Sequence, residues 1–414
     1  MGHKLWSKII PVPLEIITRN TCRLCGGSEL KDVLSLGDLY VSDFVDKNWQ
    51  GGIKAPLDLV QCKNQQCGLL QLRHTAPQEI MYARHYWYRS GLNKVIIDDL
   101  KDIAEKSQKL VNLKRGDVVL DIGANDGTFL SFFPKDYIRV GCEPADNLQE
   151  ELNGRADKII HDFWSEEAYR KLGLPEAKIV TAVGMFYDME DPNQFVRDAQ
   201  KIMADDGIFI AQLMTLKPMI EKNDLGNICH EHLEFYSYPS LVYLFENNGL
   251  EIFEVEENSI NGGSYRLYAR KLKGGSIKYA ESNFDYAQFA KNLEEAKRKT
   301  VEFIKKEVAD GKKVYGYGAS TKGNTILQYF GLGPELVTAI ADKSEEKWGK
   351  YTVGTMIQVI SEADAHKAKP DYFLILPWAF TDTFVKREAE WLKGGGKFIV
   401  PFPELKIIDK TALN

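Results

Sequence analysis

The stretch that most constrains the fold is VVLDIGANDGTFL, residues 118–130. An apolar run with strand character leads into a turn with glycines at 123 and 127, and the residues that follow favour the start of a helix. Glycine lets a backbone approach a ligand closely, and Glu143 ends the next predicted strand, where a carboxylate can accept hydrogen bonds from two ribose hydroxyls. A dinucleotide site would have three glycines in this loop. The alternative without a ligand is an ordinary strand–turn–helix connection.

Strands and helices alternate on both sides of this loop, from Val118 to Arg270. The alternation predicts a parallel, doubly wound α/β sheet, and the segments LEIFEVEEN and GGSYRLYARK predict two antiparallel strands that close it. The pattern D-x-G-x-x-x-G with an acidic end to the second strand is typical of class I methyltransferases, which bind S-adenosylmethionine at the carboxyl ends of the first strands. Asp162 and Phe163 are expected to meet the adenine. The residues expected to bind this cofactor are Tyr88, Ser90, Asp121, Gly123, Ala124, Asn125, Asp126, Gly127, Glu143, Pro144, Asp162, Phe163 and Gly184.

Four of the six cysteines form two pairs near the N-terminus, Cys22 with Cys25 and Cys62 with Cys67. Two such turns are able to hold one zinc ion through four sulfurs, which leaves no open coordination position and makes the site structural. Four buried thiols without a metal are the alternative. A zinc ribbon that grips RNA is a third reading, but the surrounding residues are not especially basic.

The segment ICHEHLEFYS, residues 228–237, concentrates two histidines, a cysteine, two glutamates and a tyrosine. His230 and His232 would share one face of a strand and could bind one metal ion. Alternatively, an imidazole with an ordinary pKa near 6.5 could remove a proton at neutral pH, or the segment could be a polar strand end without chemistry. Methyl transfer gives a metal little to do, whereas methylation of a carbon beside a ketone needs a base, so we interpret the segment as an acid–base site. Tyr236, or Tyr86 and Tyr88, could donate a hydrogen bond to the enolate or shape the methyl passage.

The remaining chain predicts more helix and a second α/β series. A helical stretch is predicted around Pro77 to Val111, and a charged amphipathic helix from about Asp285 to Asp310 connects to the second series. Its strands are KKVYGYG, VTAIAD, YFLILPWAF and GKFIVPFPE, an arrangement that looks like a smaller Rossmann-like unit.

The loop VYGYGASTKGNTIL, in this second unit, combines glycines, hydroxyls and a lysine at a helix N-terminus. That combination suits phosphate, and we interpret it as a grip on a pyrophosphate or nucleoside. A second dinucleotide site, with Asp342 at the ribose, and a helix cap alone are the alternatives. The residues expected to bind substrate are Arg266, Gly318, Ser320, Thr321, Lys322, Asn324 and Asp342.

Taken together, these motifs resemble the sugar C-methyltransferases that act on nucleotide-linked 4-ketohexoses. The resemblance covers nearly the whole chain and rests on CRLCG, QCKNQQCGLLQL, YWYRSG, DIGANDG, HEHLEFYS, NGGSYRLY and GYGASTKGNT. It implies a zinc-binding domain at 18–75, a methyltransferase domain with preceding helices at 76–284, and a Rossmann-like domain for the nucleotide-sugar at 285–414. It also implies that Glu231 and His232 are the catalytic pair, with His232 as base and Glu231 holding its imidazole or contacting the sugar.

The chain departs from the family pattern at several positions. The second cysteine pair is Cys-x4-Cys where Cys-x2-Cys is common, and Asn261 stands where a histidine is frequent. Phe186 occupies a position where a histidine is expected, and Cys229 one where a tyrosine can precede the Glu-His pair. These positions line the catalytic cleft in the family, so the methylated atom stays open.

The sequence therefore predicts an S-adenosylmethionine-dependent methyltransferase that acts on a deoxy-ketosugar linked to dTDP or another nucleoside diphosphate. O- or N-methylation of a related sugar or of another phosphorylated metabolite is the alternative, followed by an RNA-modifying enzyme and a non-catalytic scaffold. A net charge of −6 argues against a nucleic-acid or membrane partner. No signal peptide or spanning segment is recognised, so we expect a cytoplasmic protein, either a monomer or a weak oligomer.

Overall fold

The computed structural model describes residues 15–83, 85–281 and 283–413 of the 414-residue chain. The first residues, on which the signal-peptide prediction rests, lie outside the described part. Within the described part, no helix is both long enough and apolar enough to cross a membrane.

The first unit is a small β structure built around the cysteine pairs. Its central strand alternates between exposed and buried residues, as expected for a strand with one face on a core. It pairs antiparallel with the strand on each side. The strands are β1 (Ile17–Thr18), β2 (Leu30–Tyr40), β3 (Phe44–Val45), β4 (Lys54–Cys62), β5 (Leu70–Leu72) and β6 (His74–Thr75).

The helix predicted around Pro77 to Val111 is interrupted in the structure. A single π-helical turn (Glu79–Ala83) and a 3₁₀ turn (Ser90–Leu92) precede the regular helix α1 (Lys94–Leu110), and residues 85–89 belong to neither helix nor strand. The prediction fails there because N–H groups of Tyr86 and Ser90 bond to side chains of other loops. Tyr86 N donates to Asn147 Oδ1, and Ser90 N donates to Asn125 Oδ1.

The central unit is a seven-stranded sheet of the expected doubly wound type. The strand order is 3-2-1-4-5-7-6 from one edge, and the seventh strand in chain order is antiparallel to both of its neighbours, whereas the other six run in the same direction. Its strands are β7 (Val118–Ile122), β8 (Ile138–Cys142), β9 (Lys158–Ile160), β10 (Ala177–Val183), β11 (Met203–Met214), β13 (Leu250–Asn258) and β14 (Ser264–Lys271), and β12 (Glu234–Phe235) lies outside this sheet. The helices are α2 (Gln149–Asn153), α3 (Glu166–Arg170), α4 (Pro192–Ile202), α5 (Leu216–Glu221) and α6 (Tyr238–Asn247).

The helix expected after β7 is only a 3₁₀ turn, Leu130–Phe132. Gly127 has a φ of +77°, which excludes it from a right-handed helix. Pro134 pushes the residue before it towards an extended backbone, and Phe133 has φ −100° and ψ 134°. Too few residues remain between these two positions for a stable α-helix.

The C-terminal unit begins with the predicted amphipathic helix, α7 (Tyr286–Ala309), which buries Phe289, Leu293, Ala296, Thr300 and Ile304 at helical spacing. Its sheet has the strand order 3-2-1-4-5-6, parallel except for the last strand, and is Rossmann-like. The other elements are β15 (Val314–Tyr317), α8 (Thr321–Phe330), β16 (Ile340–Asp342), β17 (Tyr351–Thr352), β18 (Val359–Ser361), α9 (Glu362–Lys367), β19 (Tyr372–Ile375), α10 (Thr381–Arg387), α11 (Ala389–Lys393), β20 (Lys397–Val400) and β21 (Lys406–Ile408).

Two strand pairs join one unit to another. β12, from the HEHLEF segment, pairs antiparallel with β5 and completes the sheet of the first unit. β17, from the C-terminal unit, pairs antiparallel with β3. The fold class is as predicted, while the residue limits of the three domains stay predictions.

Candidate active site

The site expected for the cofactor is a cavity at the carboxyl ends of β7, β8 and β10, with a volume of about 380 Å³. We call it the cofactor cavity. Besides predicted residues, it is lined by Trp164, Met185 and Asp188. The predicted cofactor residues that line it are Tyr88, Ser90, Gly123, Asn125, Glu143, Pro144, Phe163 and Gly184.

Glu143 contributes a buried carboxyl group to the wall of the cofactor cavity. Its two carboxylate oxygens accept from Asn125 N and Ala145 N, each at 2.9 Å. Burial raises the pKa of Glu143 to about 7, and these two N–H groups oppose the rise. Each oxygen keeps a second lone pair, which suits the two hydroxyls of a ribose.

Gly123 leaves space that any other residue would fill. Its φ is +74°, and a Cβ at this position would lie 2.6 Å from Met185 Cγ. The first βα turn therefore passes close to the loop after β10 and leaves its backbone open to a ligand. These features fit S-adenosylmethionine.

Five predicted cofactor residues do not line the cofactor cavity, and most of them support it. Asp121 accepts from Thr181 Oγ1 at 2.6 Å beneath the turn, and Asp126 accepts from Gly91 N at 2.9 Å. The adenine contact expected of Asp162 stays a prediction, since its side chain is exposed beside the cavity-lining Phe163 and accepts from Phe163 N at 2.8 Å. The five are Asp121, Ala124, Asp126, Gly127 and Asp162.

The four predicted cysteines lie together, with all their sulfurs within 4.8 Å of one another. The Sγ atoms of Cys22 and Cys67 are 3.6 Å apart, and those of Cys25 and Cys62 are 3.5 Å apart. A tetrahedral zinc with Zn–S bonds near 2.3 Å requires sulfurs about 3.8 Å apart. The hydrogen bond from Cys67 lowers the pKa of the Cys22 thiol, which favours the thiolate form that zinc binds. The donor set fits a structural zinc.

The longer Cys-x4-Cys turn closes as well as the shorter one. Gly26 N donates to Cys22 O at 2.9 Å, and Gly68 N donates to Asn64 O at 2.8 Å. Both glycines have a left-handed backbone, with φ of +70° and +60°. The departure from the family spacing therefore does not disturb the site.

Arg23 connects this metal site to the HEHLEF segment. Its side chain donates to Leu72 O at 2.5 Å and to Thr75 Oγ1 at 2.7 Å. It also forms ion pairs with Glu190 at 3.3 Å and with Glu234 at 3.5 Å. Glu234 lies on β12 and Glu190 lines the cofactor cavity, so one buried guanidinium touches all three regions.

His232 lies in a second cavity of about 150 Å³, the histidine cavity, which shares Asp188 and Gly184 with the cofactor cavity. Its Nδ1 is 2.8 Å from Asn227 O, so we assign the ring proton to Nδ1 as donor. Nε2 has no hydrogen-bond partner among the described residues. Burial, and secondarily the charge of Lys322, lower the pKa of His232 well below its ordinary value. Burial therefore favours the neutral imidazole, and with Nδ1 as donor the lone pair of Nε2 is free to accept a proton.

Glu231 points away from the imidazole. The prediction that it holds His232 is wrong in this structure, because Asn227 O takes that place. Glu231 is buried, its Oε2 has no hydrogen-bond partner in the described part of the chain, and burial raises its pKa. It lines a third cavity of about 230 Å³, the aromatic cavity, together with Trp49, His85 and Trp87.

Two of the predicted tyrosines stand where the cavities meet. Tyr86 and Tyr88 each line all three cavities. Tyr236 is a correction, because its side chain is fully buried and packs on Phe186 with ring centroids 5.9 Å apart. It lines none of the three cavities and cannot reach a substrate. His230 Nε2 donates to Ala55 O at 2.9 Å, which fixes this part of the segment to the first unit.

Several polar groups of the C-terminal loop already form hydrogen bonds to other groups of the protein. Ser320 Oγ accepts from Gly323 N at 3.0 Å, Asp342 accepts from Ala319 N at 2.6 Å, and Asn324 donates to Asp43 O at 2.9 Å. Thr321 and Lys322 instead line the histidine cavity. The predicted pyrophosphate grip, including Gly318, is corrected for this reason: the lysine extends towards His232.

Arg266 is the other correction among the predicted substrate residues. Its guanidinium donates to Gln212 at 2.8 Å, Asp99 at 2.8 Å and Asp102 at 2.6 Å. Only 5% of the residue is exposed, and it lines none of the three cavities. It fixes α1 to the central sheet.

Asp188 is the functional candidate that the sequence analysis missed. It follows β10 by five residues, lines two cavities, and its Oδ1 has no hydrogen-bond partner among the described residues. The sequence feature that could have indicated Asp188 is its position in the loop after the fourth strand of the central sheet. The sequence analysis singled out Phe186 instead, which lies in an aromatic core, whereas Asn261 does line the histidine cavity.

Known proteins match this chain along most of its length. Family models match for a zinc-binding domain at residues 22–82, a methyltransferase domain at 88–255 and a C-methyltransferase C-terminal domain at 259–403. C-methyltransferase NovU of Streptomyces niveus is 30% identical over 407 residues, which cover 94% of this chain and 96% of that protein.

Two solved methyltransferases are more distant. The mitomycin 7-O-methyltransferase MmcR is 16% identical with a TM-score of 0.34, over 43% of this chain and 54% of that chain. The magnesium protoporphyrin IX methyltransferase of Synechocystis PCC 6803 is 12% identical with a TM-score of 0.32, over 42% and 78%. These scores are too low to add to the assignment. The full-length match and the three domains show that the chain belongs to the C-methyltransferase family, as an S-adenosylmethionine-dependent enzyme with an N-terminal zinc-binding domain.

Proposed function

We propose that the enzyme methylates the carbon next to the keto group of a nucleotide-linked deoxy-ketosugar, with His232 as the base. The observation that carries the proposal is the neutral imidazole of His232, whose Nδ1 is fixed on Asn227 O and whose Nε2 is available in a cavity beside the cofactor cavity.

Transfer to carbon requires more of the site than transfer to oxygen or nitrogen. A C–H bond must be broken first, and a carbon beside a ketone is acidic enough for a positioned base to do so. Burial lowers the pKa of His232 and so favours its unprotonated form, which is the form a base needs. The match to a C-methyltransferase supports carbon as the acceptor, ahead of the alternative of O- or N-methylation.

The nucleotide end of the substrate is assigned to the aromatic cavity. Trp49, His85 and Trp87 offer ring faces on which a nucleobase can stack. The cavity meets the histidine cavity at Tyr86, Tyr88 and Thr321, so a sugar joined to the nucleotide can reach His232. This arrangement replaces the phosphate grip predicted for the C-terminal loop. The three domains at 18–75, 76–284 and 285–414 are kept as part of the proposal.

The test uses dTDP- and UDP-linked 4-keto-6-deoxyhexoses in deuterated water. With S-adenosylhomocysteine bound, the wild-type enzyme should exchange the hydrogen beside the ketone, and with S-adenosylmethionine it should place a methyl group on that carbon. His232→Ala should reduce both rates by about 10²–10⁴-fold. His366→Ala is the matched control, because His366 lies outside the three cavities and pairs with Glu388.

Product NMR separates the alternatives. A new methyl group on oxygen or nitrogen, formed without hydrogen exchange, would replace this proposal with the O- or N-methyltransferase. Turnover that is unchanged in His232→Ala would remove the histidine from its proposed role.

A further inference from the structure

Lys322 crosses from the C-terminal unit into the histidine cavity. It is the second residue of α8, and its side chain is half-buried. Its Nζ lies 2.8 Å from Met214 Sδ at the end of β11. Across residues 15–83, 85–281 and 283–413, this is its only hydrogen-bond partner, and no carboxylate oxygen is within ion-pair distance. A thioether is a weak acceptor, so the ammonium keeps strong donors for a ligand.

The charges around Lys322 argue against a phosphate ligand. Burial raises the pKa values of Asp188, Asp224 and Glu231, and the charge of Lys322 opposes each rise. Of these three residues, Asp188 lines the histidine cavity together with Lys322. A phosphate brought to this cation would be repelled by any of these groups that ionises, whereas a ketone is neutral and acquires a single negative charge only during reaction.

We propose that Lys322 is a catalytic residue that stabilises the enolate oxygen. This inference rests on the proposed function. His232 Nε2 takes the proton from the carbon beside the ketone, and the electron pair of that C–H bond forms the carbon–carbon double bond. The carbonyl π electrons move to oxygen, which accepts a hydrogen bond from Lys322 Nζ.

S-adenosylmethionine, when bound, would supply the methyl group. The enolate carbon would form the new carbon–carbon bond, the carbon–sulfur bond would break with its electron pair on sulfur, and the carbonyl would re-form. The proton stays on His232 and is released to solvent, so one proton and one S-adenosylhomocysteine leave for each methyl group transferred. A base from the central unit and a cation from the C-terminal unit therefore complete one site.

The experiment compares wild type with Lys322→Met, Lys322→Arg and Lys343→Met. The first variant keeps most of the side-chain volume and removes the charge, the second keeps a charge, and Lys343 is an exposed lysine of the same unit. At saturating ketosugar, Lys322→Met should lower deuterium exchange and methyl transfer by about 10²–10³-fold, the usual cost of one lost oxyanion donor. Lys322→Arg should recover part of this loss, and Lys343→Met should resemble wild type.

Calorimetry with dTDP and with S-adenosylmethionine provides the second readout. Both affinities should be unchanged in Lys322→Met. A fall in dTDP affinity that accounts for the loss of activity would assign Lys322 to the pyrophosphate and overturn the inference, and so would wild-type exchange rates. Lys322→Gln takes the place of the methionine variant if thermal melting shows that the latter does not fold. If wild type itself exchanges no ketosugar, the proposed function has failed and the inference fails with it.

Discussion

At the carboxyl ends of β7 and β8, two acids are held where burial disfavours their charged forms. Burial raises the pKa of Glu143 from 4.5 to about 7 and that of Asp121 from 3.8 to about 7. Since both folded-state values lie above the ordinary ones, protonation stabilises the fold. That contribution is complete below the ordinary pKa values and is lost as the pH rises through about 7. Binding of S-adenosylmethionine at neutral pH therefore uses the charged form of Glu143, which burial disfavours in the folded protein.

S-adenosylmethionine should therefore bind more tightly as the pH rises from about 6 to about 8, because the ribose hydroxyls donate to charged Glu143. Glu143→Gln should remove most of this dependence and weaken binding by about 1.5–3 kcal/mol, the range for hydrogen bonds to a charged group. Calorimetry across this pH range measures both. Asp121→Asn is the control, since Asp121 does not line the cavity. The same pH dependence in Glu143→Gln would show that another group titrates.

The hydroxyl of Tyr236 offers a test in which we expect no loss of activity. It is fully buried and has no hydrogen-bond partner in the described part of the chain. Removing an unsatisfied buried polar group costs little, so Tyr236→Phe should leave turnover unchanged and stability unchanged or slightly higher. Steady-state kinetics and thermal melting check this. A large fall in turnover would return Tyr236 to the catalytic role that the sequence analysis gave it.

At the scale of elements, the short strand β12 links the metal site to the catalytic segment. β12 pairs with β5, β5 pairs with β4, and β4 ends at Cys62. Glu234 on β12 also faces Arg23, the neighbour of Cys22. His232 lies two residues before β12, so zinc bound by the cysteines would hold the base through this sheet.

Removing the metal should therefore loosen the segment around His232. Wild type should contain one zinc per chain, and chelation or Cys62→Ser should lower the melting temperature. Amide hydrogen exchange at Glu234 and Phe235 should accelerate about tenfold or more, which corresponds to about 1.4 kcal/mol of lost protection. Turnover should fall although His232 is intact. Strands β15 and β19, in the C-terminal sheet, serve as the internal control. Unchanged exchange at β12 in metal-free protein would contradict the link.

The strands were the part of the fold that local sequence could predict. Apolar runs such as residues 118–122 and 177–183 end at turn residues, and each is a strand in the structure. The pairing of β12 with β5 could not be predicted, because two residues carry too little pattern and their partner is far away in the chain. The helix expected after β7 is the opposite case. Gly127 and Pro134 both stand in the sequence and both disfavour a helix between them, but the strand–turn–helix pattern of the methyltransferase class predicted one.

At the scale of the whole molecule, the active site belongs to no single unit. The first βα loop and its acid were predictable because they are local in sequence. The position of Lys322 was not, since it depends on how α8 docks against the first unit. Gln328 exchanges two hydrogen bonds with the backbone of Tyr40, and Ser42 Oγ donates to Thr321 O at 2.9 Å. These contacts join residues that are remote in the chain, so no local pattern encodes them.

One contact between the central and C-terminal units offers a test of whether the docking of the C-terminal unit places Lys322 in the active site. Trp378 Nε1 donates to Asp224 Oδ1 at 2.7 Å, and burial raises the pKa of Asp224. Trp378→Phe removes the donor from a buried carboxyl group, so it should cost about 1–3 kcal/mol and loosen the docking that positions Lys322. Turnover should fall while the affinity for S-adenosylmethionine stays unchanged, because the cofactor cavity contains no residue of the C-terminal unit.

Trp391→Phe is the matched control for this substitution. Trp391 also donates to an oxygen, Pro370 O at 3.3 Å, but it packs on Phe373 and Phe398 inside the C-terminal unit. It should lower the stability of that unit without a selective loss of turnover at temperatures where the protein is folded. Kinetics and calorimetry on both variants separate docking from general destabilisation. If Trp378→Phe weakened cofactor binding as much as turnover, the two units would form one cooperative site, and Lys322 could not be assigned to the acceptor alone.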